Sequence, residues 1–188
     1  MKKYLFPSIR ITLVFTVILC VLYPLFISFA AKLSKGQGSG EKLELNGKVV
    51  GYKQLGQSFN KPQYFWGRPS AVNYNAAGSG GSNKGPTNAD YLKEVNNRID
   101  TLLKYHHGLQ KSDIPAELVT ASGSGLDPNI SIEGAKIQAK RIAQYRQIPL
   151  SKVMKLIDVQ TEQPVLGLFG PSKINVLSLN IALDQISE

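Results

Sequence analysis

Ser58 and Lys61 have the spacing of a Ser-x-x-Lys motif, in which a lysine takes the proton from a serine nucleophile. Only two positions of this motif are fixed, so it arises often by chance. The Lys-Thr-Gly sequence that accompanies it in acyl-transfer enzymes is absent from the chain, and Pro62 follows directly. A membrane-anchored serine/lysine hydrolase is therefore kept as the alternative function and not as the main one.

A glycine-rich loop at residues 78–87 invites a phosphate-binding interpretation. Gly80 and Gly85 have the spacing of the two P-loop glycines, and a predicted helix follows them. A P-loop needs its lysine immediately after the second glycine, whereas Lys84 precedes it and Pro86 follows it. ATP hydrolysis by this chain alone is not expected. A nucleotide-binding module remains a third hypothesis, and glycines that permit tight packing are the favoured interpretation.

Metal and thiol chemistry have little support. His106 and His107 are adjacent, so on a helix their side chains point about 100° apart and cannot bind one metal together. We expect them to place favourable positive charge at a helix C-terminus. The only cysteine, Cys20, lies in an apolar stretch, which excludes a disulfide or a thiol nucleophile elsewhere. No metal and no covalently bound cofactor is expected.

The apolar stretch, residues 11–31, predicts one transmembrane helix. It contains no charge, and thirteen of its 21 residues are Ile, Leu, Val or Phe. A signal peptide cleaved after Ala30 is the alternative, although its apolar core would be unusually long. Basic residues flank both ends, so the charge bias leaves the orientation open. The expected organisation is an N-terminal tail at 1–10, an anchor at 11–31, a linker at 32–47 and one domain at 48–188.

The soluble region has the composition of a globular domain of α/β or α+β class, with few short strands and three to four helices. Apolar spacing predicts helices from about 88 to 106, from Ser131, from Ser151 and over 176–186. Strands are expected within 48–59 and at 165–169, and residues 64–72 are expected to be the end of an aromatic strand that leads into a loop. Residues 32–188 carry 19 basic and 13 acidic side chains, a net charge of +6. The charges form no basic stripe, so nucleic acid is not an expected partner.

Three stretches of this sequence carry distinctive motifs. The first contains Phe65-Trp66-Gly67-Arg68-Pro69-Ser70-Ala71, Tyr74-Asn75, Ser79-Gly80-Gly81-Ser82-Asn83 and Pro86-Thr87-Asn88. The second is Leu118-Val119-Thr120-Ala121-Ser122-Gly123-Ser124-Gly125-Leu126-Asp127-Pro128-Asn129-Ile130-Ser131. The third contains Asn175-Val176-Leu177, Leu179-Asn180 and Ala182-Leu183-Asp184. Together they resemble one family, the C subunits of Kdp-type potassium-transporting ATPases, and the resemblance covers nearly the whole chain.

The resemblance implies a non-catalytic subunit of a high-affinity, ATP-driven potassium uptake complex. Its expected partners are a channel-like A subunit, a P-type ATPase B subunit, a small F subunit and the lipid bilayer. The family is described as an assembly factor and a catalytic chaperone that promotes ATP use by the B subunit, and potassium is the transported ion. The implied location is the plasma (inner) membrane, single-pass, with a cytoplasmic N-terminus and the domain on the outer face.

The same resemblance suggests the site residues. Candidates for docking to a partner are Arg68, Asn75, Ser82, Asn83, Asn88, Thr120, Ser122 and Asp127. Gln163 and Gln57 are candidates linked to nucleotide. A domain on the outer face cannot touch cytoplasmic ATP, so an effect on ATP use would be coupled through membrane partners. The net charge of +6 argues against concentrating potassium, so docking is the preferred role of the loops.

Overall fold

The computed structural model describes residues 2–186, with only the backbone of Lys2, and divides the chain into two compact units, Met1–Lys42 and Leu43–Glu188. The first unit is mainly helical: α1 spans Lys2–Val17, a π-helical turn spans Ile18–Leu22, and α2 spans Tyr23–Ala31. Together they contain an apolar helix, Lys3–Ala31, of 29 residues with a mean hydropathy of 2.5. By length and composition this helix is able to cross a membrane.

Pro24 lies just after the π-helical turn. The turn is closed by the Tyr23 N–H, which donates to Ile18 O. Proline has no N–H and its ring would clash with the carbonyl of the preceding turn. A locally widened turn makes room for the ring, so the helix continues through Pro24 to Ala31.

The second unit has the predicted α+β composition. Its four helices begin close to the residues that the sequence predicts and are α3 (Ala89–Tyr105), α4 (Ile132–Arg146), α5 (Leu150–Gln160) and α6 (Val176–Gln185). The strands are short, and β1 begins at the last residue of the first unit: β1 (Lys42–Leu45), β2 (Lys48–Tyr52), β3 (Asn129–Ile130), β4 (Thr161–Glu162) and β5 (Lys173–Asn175). The fold class inferred from the sequence is confirmed.

The strands form two small antiparallel sheets. β1 and β2 make a hairpin, and β5 lies between β3 and β4. Ile174 in the central strand faces Ile130 on one side and Thr161 on the other. Because Asn175 ends β5 and also caps α6, through its side chain and the Ser178 N–H, the chain turns directly from sheet into helix.

The core lies where α4, α5 and α6 pack on the three-stranded sheet. Ile142, Val153, Ile157, Leu179 and Leu183 are completely buried there. These residues recur at three- and four-residue spacing along their helices, which explains why periodicity alone located the helices. Phe65, at the start of the first family motif, is also completely buried, so that loop is held against the core.

Two strands expected from the sequence are absent from the described residues. Residues 64–72 contain no strand, and the backbone of Phe65 and Trp66 bonds instead to helix side chains. Residues 165–169 form a tight turn with one isolated bridge, Val165 to Phe169, because Leu166 and Gly167 adopt positive φ. Both predictions were wrong for the same reason: apolar residues were taken as strand signals in segments that have no strand partner.

Candidate functional site

The two loops that carry most of the family motifs are bonded to each other. The Gly80 N–H and the Ser79 hydroxyl both donate to Ser124 O, at 2.8 and 2.9 Å. The Ser122 N–H donates to Pro69 O at 3.0 Å. We call residues 68–83 and 120–128 the joined loops. Although they are far apart in sequence, they form one surface.

Glycine is what permits this close approach. A Cβ on Gly81 would lie 3.0 Å from Gly123 O. Gly125 has a φ of +67°, and a Cβ there would lie 2.7 Å from Gly80 O and 2.6 Å from Val72 Cγ2. Any larger residue at Gly125 would therefore have to separate the two backbones.

Arg68 and Asp127 link the two joined loops through an ion pair. Arg68 Nη1 lies 3.0 Å from Asp127 Oδ2 in a half-buried ion pair. The second carboxylate oxygen of Asp127 accepts the Asn129 N–H at 3.0 Å, and Arg68 O accepts the Tyr74 hydroxyl at 2.6 Å. Burial raises the pKa of Tyr74, so the phenol keeps the proton that it donates. These side chains are thus bonded within the fold, except that Arg68 Nε is buried without a hydrogen-bond partner.

Three further docking candidates also use their side chains locally. Asn75 accepts the Ala77 N–H at 3.0 Å, and Asn88 caps α3 by accepting the Tyr91 N–H at 2.9 Å. Thr120 donates to Ala116 O at 2.7 Å. Each satisfies a backbone group at the end of a helical segment. These three residues would contribute to an interface by fixing the shape of the loops, and not by direct side-chain contact with a partner.

Of the remaining candidates, Ser122 is 2% exposed and Ser82 is half-buried. Asn83 is exposed, and its backbone has a φ of +53°. The outer side of the joined loops is otherwise made of small residues, and we call it the small-residue face: Asn75, Ala76, Ala77, Gly78, Ser79, Asn83, Gly123 and Ser124, all exposed.

The segment before the joined loops is held by two buried side-chain amides. Asn180 accepts the Phe65 N–H and donates to Phe65 O, at 2.9 and 3.0 Å. Gln138 does the same for Trp66, at 2.8 and 3.1 Å. Each amide therefore pairs with the backbone as a neighbouring strand would. The sequence signal was present, since both amides fall on otherwise apolar helix faces, but periodicity alone did not assign them a role.

Arg141 is the centre of this buried network, with an exposure of 2%. Its guanidinium donates to Pro62 O, to Tyr64 O at 3.0 Å and to Gln138 Oε1 at 2.8 Å, and it lies 4.3 Å above the Trp66 ring. Burial lowers the pKa of Arg141 to about 10, which still leaves it charged at neutral pH. No carboxylate is among these partners, so carbonyl oxygens stabilise the charge.

His106 completes the network as an acceptor. Its Nε2 lies 2.9 Å from Arg141 Nε, and its Nδ1 lies 2.7 Å from Leu102 O. These partners require the neutral ring with the proton on Nδ1. Burial, and in smaller part the charge of Arg141, lowers the pKa of His106 to about 4 against the raising effect of the Leu102 hydrogen bond. The prediction that His106 places positive charge at this helix end is therefore wrong.

Comparison with known proteins decides the family. Residues 5–185 match the family described as KdpC, K+-transporting ATPase, c chain. Proteins named potassium-transporting ATPase KdpC subunit are 56% identical over 184 residues in Flavobacterium johnsoniae and 50% identical over 187 residues in Bacteroides fragilis. Those alignments cover 98% of this chain and 99% and 98% of the relatives. The chain belongs to the KdpC family.

A more distant KdpC relative gives the same result. The subunit of Caldanaerobacter subterraneus subsp. tengcongensis is 44% identical over 177 residues, which is 94% of this chain and 92% of the relative. The family resemblance inferred from the motifs is confirmed. Membership in the KdpC family places this chain among the subunits of potassium-transporting ATPases.

The residues considered for hydrolysis are engaged elsewhere. The Ser58 hydroxyl donates to Asn60 Oδ1 at 3.2 Å, and within the described residues no hydrogen bond joins it to Lys61. Lys84, in the glycine-rich loop, pairs with Glu94 at 2.7 Å. Across residues 2–186 no cluster of three His, Cys, Asp or Glu could hold a metal ion. The hydrolase alternative is not favoured.

The two nucleotide-linked candidates lie in different parts of the domain. Gln57 lies in the irregular segment after β2 and donates to Val50 O at 3.2 Å. Gln163 follows β4 and accepts the Ser172 hydroxyl at 3.2 Å, which closes the neck of the β4–β5 hairpin. Each of these contacts is local and has a structural explanation.

Proposed function

We propose that this chain is a non-catalytic accessory subunit that assembles and stabilises a high-affinity, ATP-driven potassium uptake complex. The observation that carries the proposal is the pair of joined loops, which form one preorganised surface and not a reactive site. Their charged side chains, Arg68 and Asp127, bind each other, and the outer face presents small residues. A surface of this kind suits contact with another protein. Its loops are already ordered, so binding costs little conformational entropy.

The proposed partner of the small-residue face is the channel-like A subunit, and the P-type ATPase B subunit and the small F subunit complete the complex. Small side chains at Ala76, Ala77, Gly78 and Gly123 allow another backbone to approach closely. Asn83 and Ser124 add exposed polar groups that can hydrogen-bond with it. The partner would thus recognise loop shape first and side chains second.

Orientation and ATP use belong to the same proposal. The N-terminus lies in the cytoplasm and the domain lies on the outer face of the plasma membrane. The chain promotes ATP use by the B subunit through coupling within the complex, and the hydrolytic site lies on that B subunit. Direct contact of Gln57 or Gln163 with ATP is not needed for this role, and both side chains are hydrogen-bonded within the domain.

A carboxylate placed on the small-residue face tests docking. In Gly78→Glu and Gly123→Glu the new Cβ meets nothing within 4 Å, and neither glycine has a positive φ. The fold is therefore expected to survive, while a charge buried against the partner should reduce co-purification of the other subunits by about tenfold or more. The measurement is quantitative mass spectrometry of complexes pulled down in mild detergent.

Ser112→Glu is the matched control, because it adds the same charge to an exposed residue in the short helical turn Lys111–Asp113. It should leave co-purification unchanged. Normal complexes with both glutamate variants would place the interface elsewhere on the domain.

A further inference from the structure

The β4–β5 hairpin ends in an apolar loop that neither the core nor the small-residue face uses. Its eight residues, 164–171, read Pro-Val-Leu-Gly-Leu-Phe-Gly-Pro and contain no polar side chain. Val165, Leu166, Leu168 and Phe169 are 67%, 83%, 81% and 66% exposed. We call these eight residues the apolar tip. Four adjacent large apolar side chains in water indicate an interaction surface.

Four of the six N–H groups in the apolar tip bond within the tip. The Val165 and Phe169 N–H groups each donate to the other residue's carbonyl, both at 3.0 Å. The Gly167 N–H donates to Pro164 O and the Leu168 N–H to Val165 O, at 2.9 and 3.2 Å. Among the described residues, no backbone carbonyl accepts the N–H groups of Leu166 and Gly170. Because hydrocarbon offers no hydrogen-bond partners, this backbone suits the headgroup level of a bilayer, with the apolar side chains reaching below it.

Leucine at position 166 is itself informative. Its φ is +55° and is followed by +72° at Gly167, a conformation that asparagine or glycine adopts more easily. A bulky apolar residue therefore occupies the most exposed point of the turn despite the conformational cost. That choice favours an apolar environment around the tip over open water.

We propose that the apolar tip inserts into the surface of the lipid bilayer on the same side as the domain. A protein–protein interface normally includes hydrogen bonds, and the apolar tip has no polar side chain to form them. Lipid needs none. Lys53 and Lys173 lie 2.9 and 4.0 Å from Glu162 at the base of the hairpin. Lysine side chains beside an apolar tip suit anionic headgroups.

The chain itself keeps lipid within reach. Only residues 32–41 separate the end of α2 from the start of β1, which allows roughly 35 Å when fully extended. The domain of a chain anchored by its first helix therefore meets the bilayer at high effective concentration. A second membrane contact would restrict how the domain tumbles above its anchor. This inference goes beyond the accessory-subunit role and does not depend on it.

Site-specific fluorescence tests the proposal on the full chain. Cys20→Ala removes the only cysteine, and Leu166→Cys then accepts an environment-sensitive label. The chain is reconstituted in vesicles of phosphatidylethanolamine and phosphatidylglycerol. We expect blue-shifted emission, quenching by doxyl groups on the lipid chains and protection from aqueous iodide. The same label on Ser112→Cys, an exposed loop control, should be quenched by iodide and not by doxyl lipid.

A second variant separates insertion from a local effect of the label. Adding Leu168→Asn to the labelled chain should abolish quenching by the lipids, with circular dichroism confirming the fold. Quenching by iodide and not by lipid at position 166 would overturn the proposal. A label at position 166 that neither quencher reaches would also overturn the proposal, because protein would then cover the tip. This holds for the chain alone and for the chain reconstituted with co-purifying subunits.

Discussion

The Arg141→Met variant is expected to lose about 3–5 kcal/mol of the free energy of unfolding, the usual cost of breaking a buried polar network. Methionine keeps much of the apolar volume of the side chain but none of the donors. Pro62 O, Tyr64 O, Gln138 Oε1 and His106 Nε2 would each lose a partner inside the fold. The Trp66 ring would also lose its contact with the cation.

Part of this cost is offset, because the methionine side chain carries no charge that must be desolvated on folding. The lowered pKa of Arg141 shows that burial disfavours its charged form. Gln138 Oε1 still accepts the Trp66 N–H, but the other three acceptors are left without a donor and outweigh this relief, at about 1 kcal/mol or more for each. The loss is therefore expected to stay well above the typical effect of a surface substitution.

Denaturant unfolding of the full chain in detergent measures this effect. Trp66 is the only tryptophan and lies against Arg141, so its fluorescence reports directly on the network. Lys140→Met is the control, since Lys140 is exposed on the same helix and should change stability by less than about 0.5 kcal/mol. A loss below about 1 kcal/mol in Arg141→Met would mean that the network does not hold the loop segment.

Replacing Gly125 by alanine is expected to pull the joined loops apart. Alanine at a φ of +67° is strained, and its Cβ would press on Gly80 O and Val72 Cγ2. Strain and overpacking together predict a loss of about 2–4 kcal/mol. Because the clash is with backbone of the opposite loop, the loops can only relieve it by separating. Co-purification of the other subunits should fall along with stability.

Gly123→Ala is the matched control for Gly125→Ala. It lies two residues away in the same loop, has no positive φ, and its Cβ would meet nothing within 4 Å. We expect near wild-type unfolding and normal complexes. If the two alanine variants unfold at the same denaturant concentration, the contact between the loops contributes little to the domain.

Helices were predictable from this sequence because each buries a regular apolar stripe. Val153 and Ile157 in α5, or Leu179 and Leu183 in α6, recur at helical spacing and lie in the core. Caps were predictable too, since Ser131 accepts the Gly134 N–H as its position before an apolar run suggested. Strands β3 and β4 have two residues each, too few for any alternation to show.

The joined loops and the buried network could not be predicted from local pattern. The bonds from Ser79 and Gly80 to Ser124 join segments far apart in the chain, and no local pattern specifies such a pairing. His106 was expected to carry positive charge at a helix end, and nothing in the local pattern marked Arg141 as buried, because helical periodicity is read from apolar residues. Their burial depends on carbonyls of residues 62 and 64, which lie on a loop with no regular structure.

The most direct test of the proposed function is a mild-detergent pull-down of the tagged full chain from potassium-starved cells. Mass spectrometry would identify the co-purifying proteins, and the same sample would be assayed for ATP hydrolysis with and without potassium. A P-type ATPase and a channel-like subunit recovered with potassium-stimulated activity are the expected result. Recovery of the chain alone from cells that make those subunits would contradict the accessory-subunit proposal.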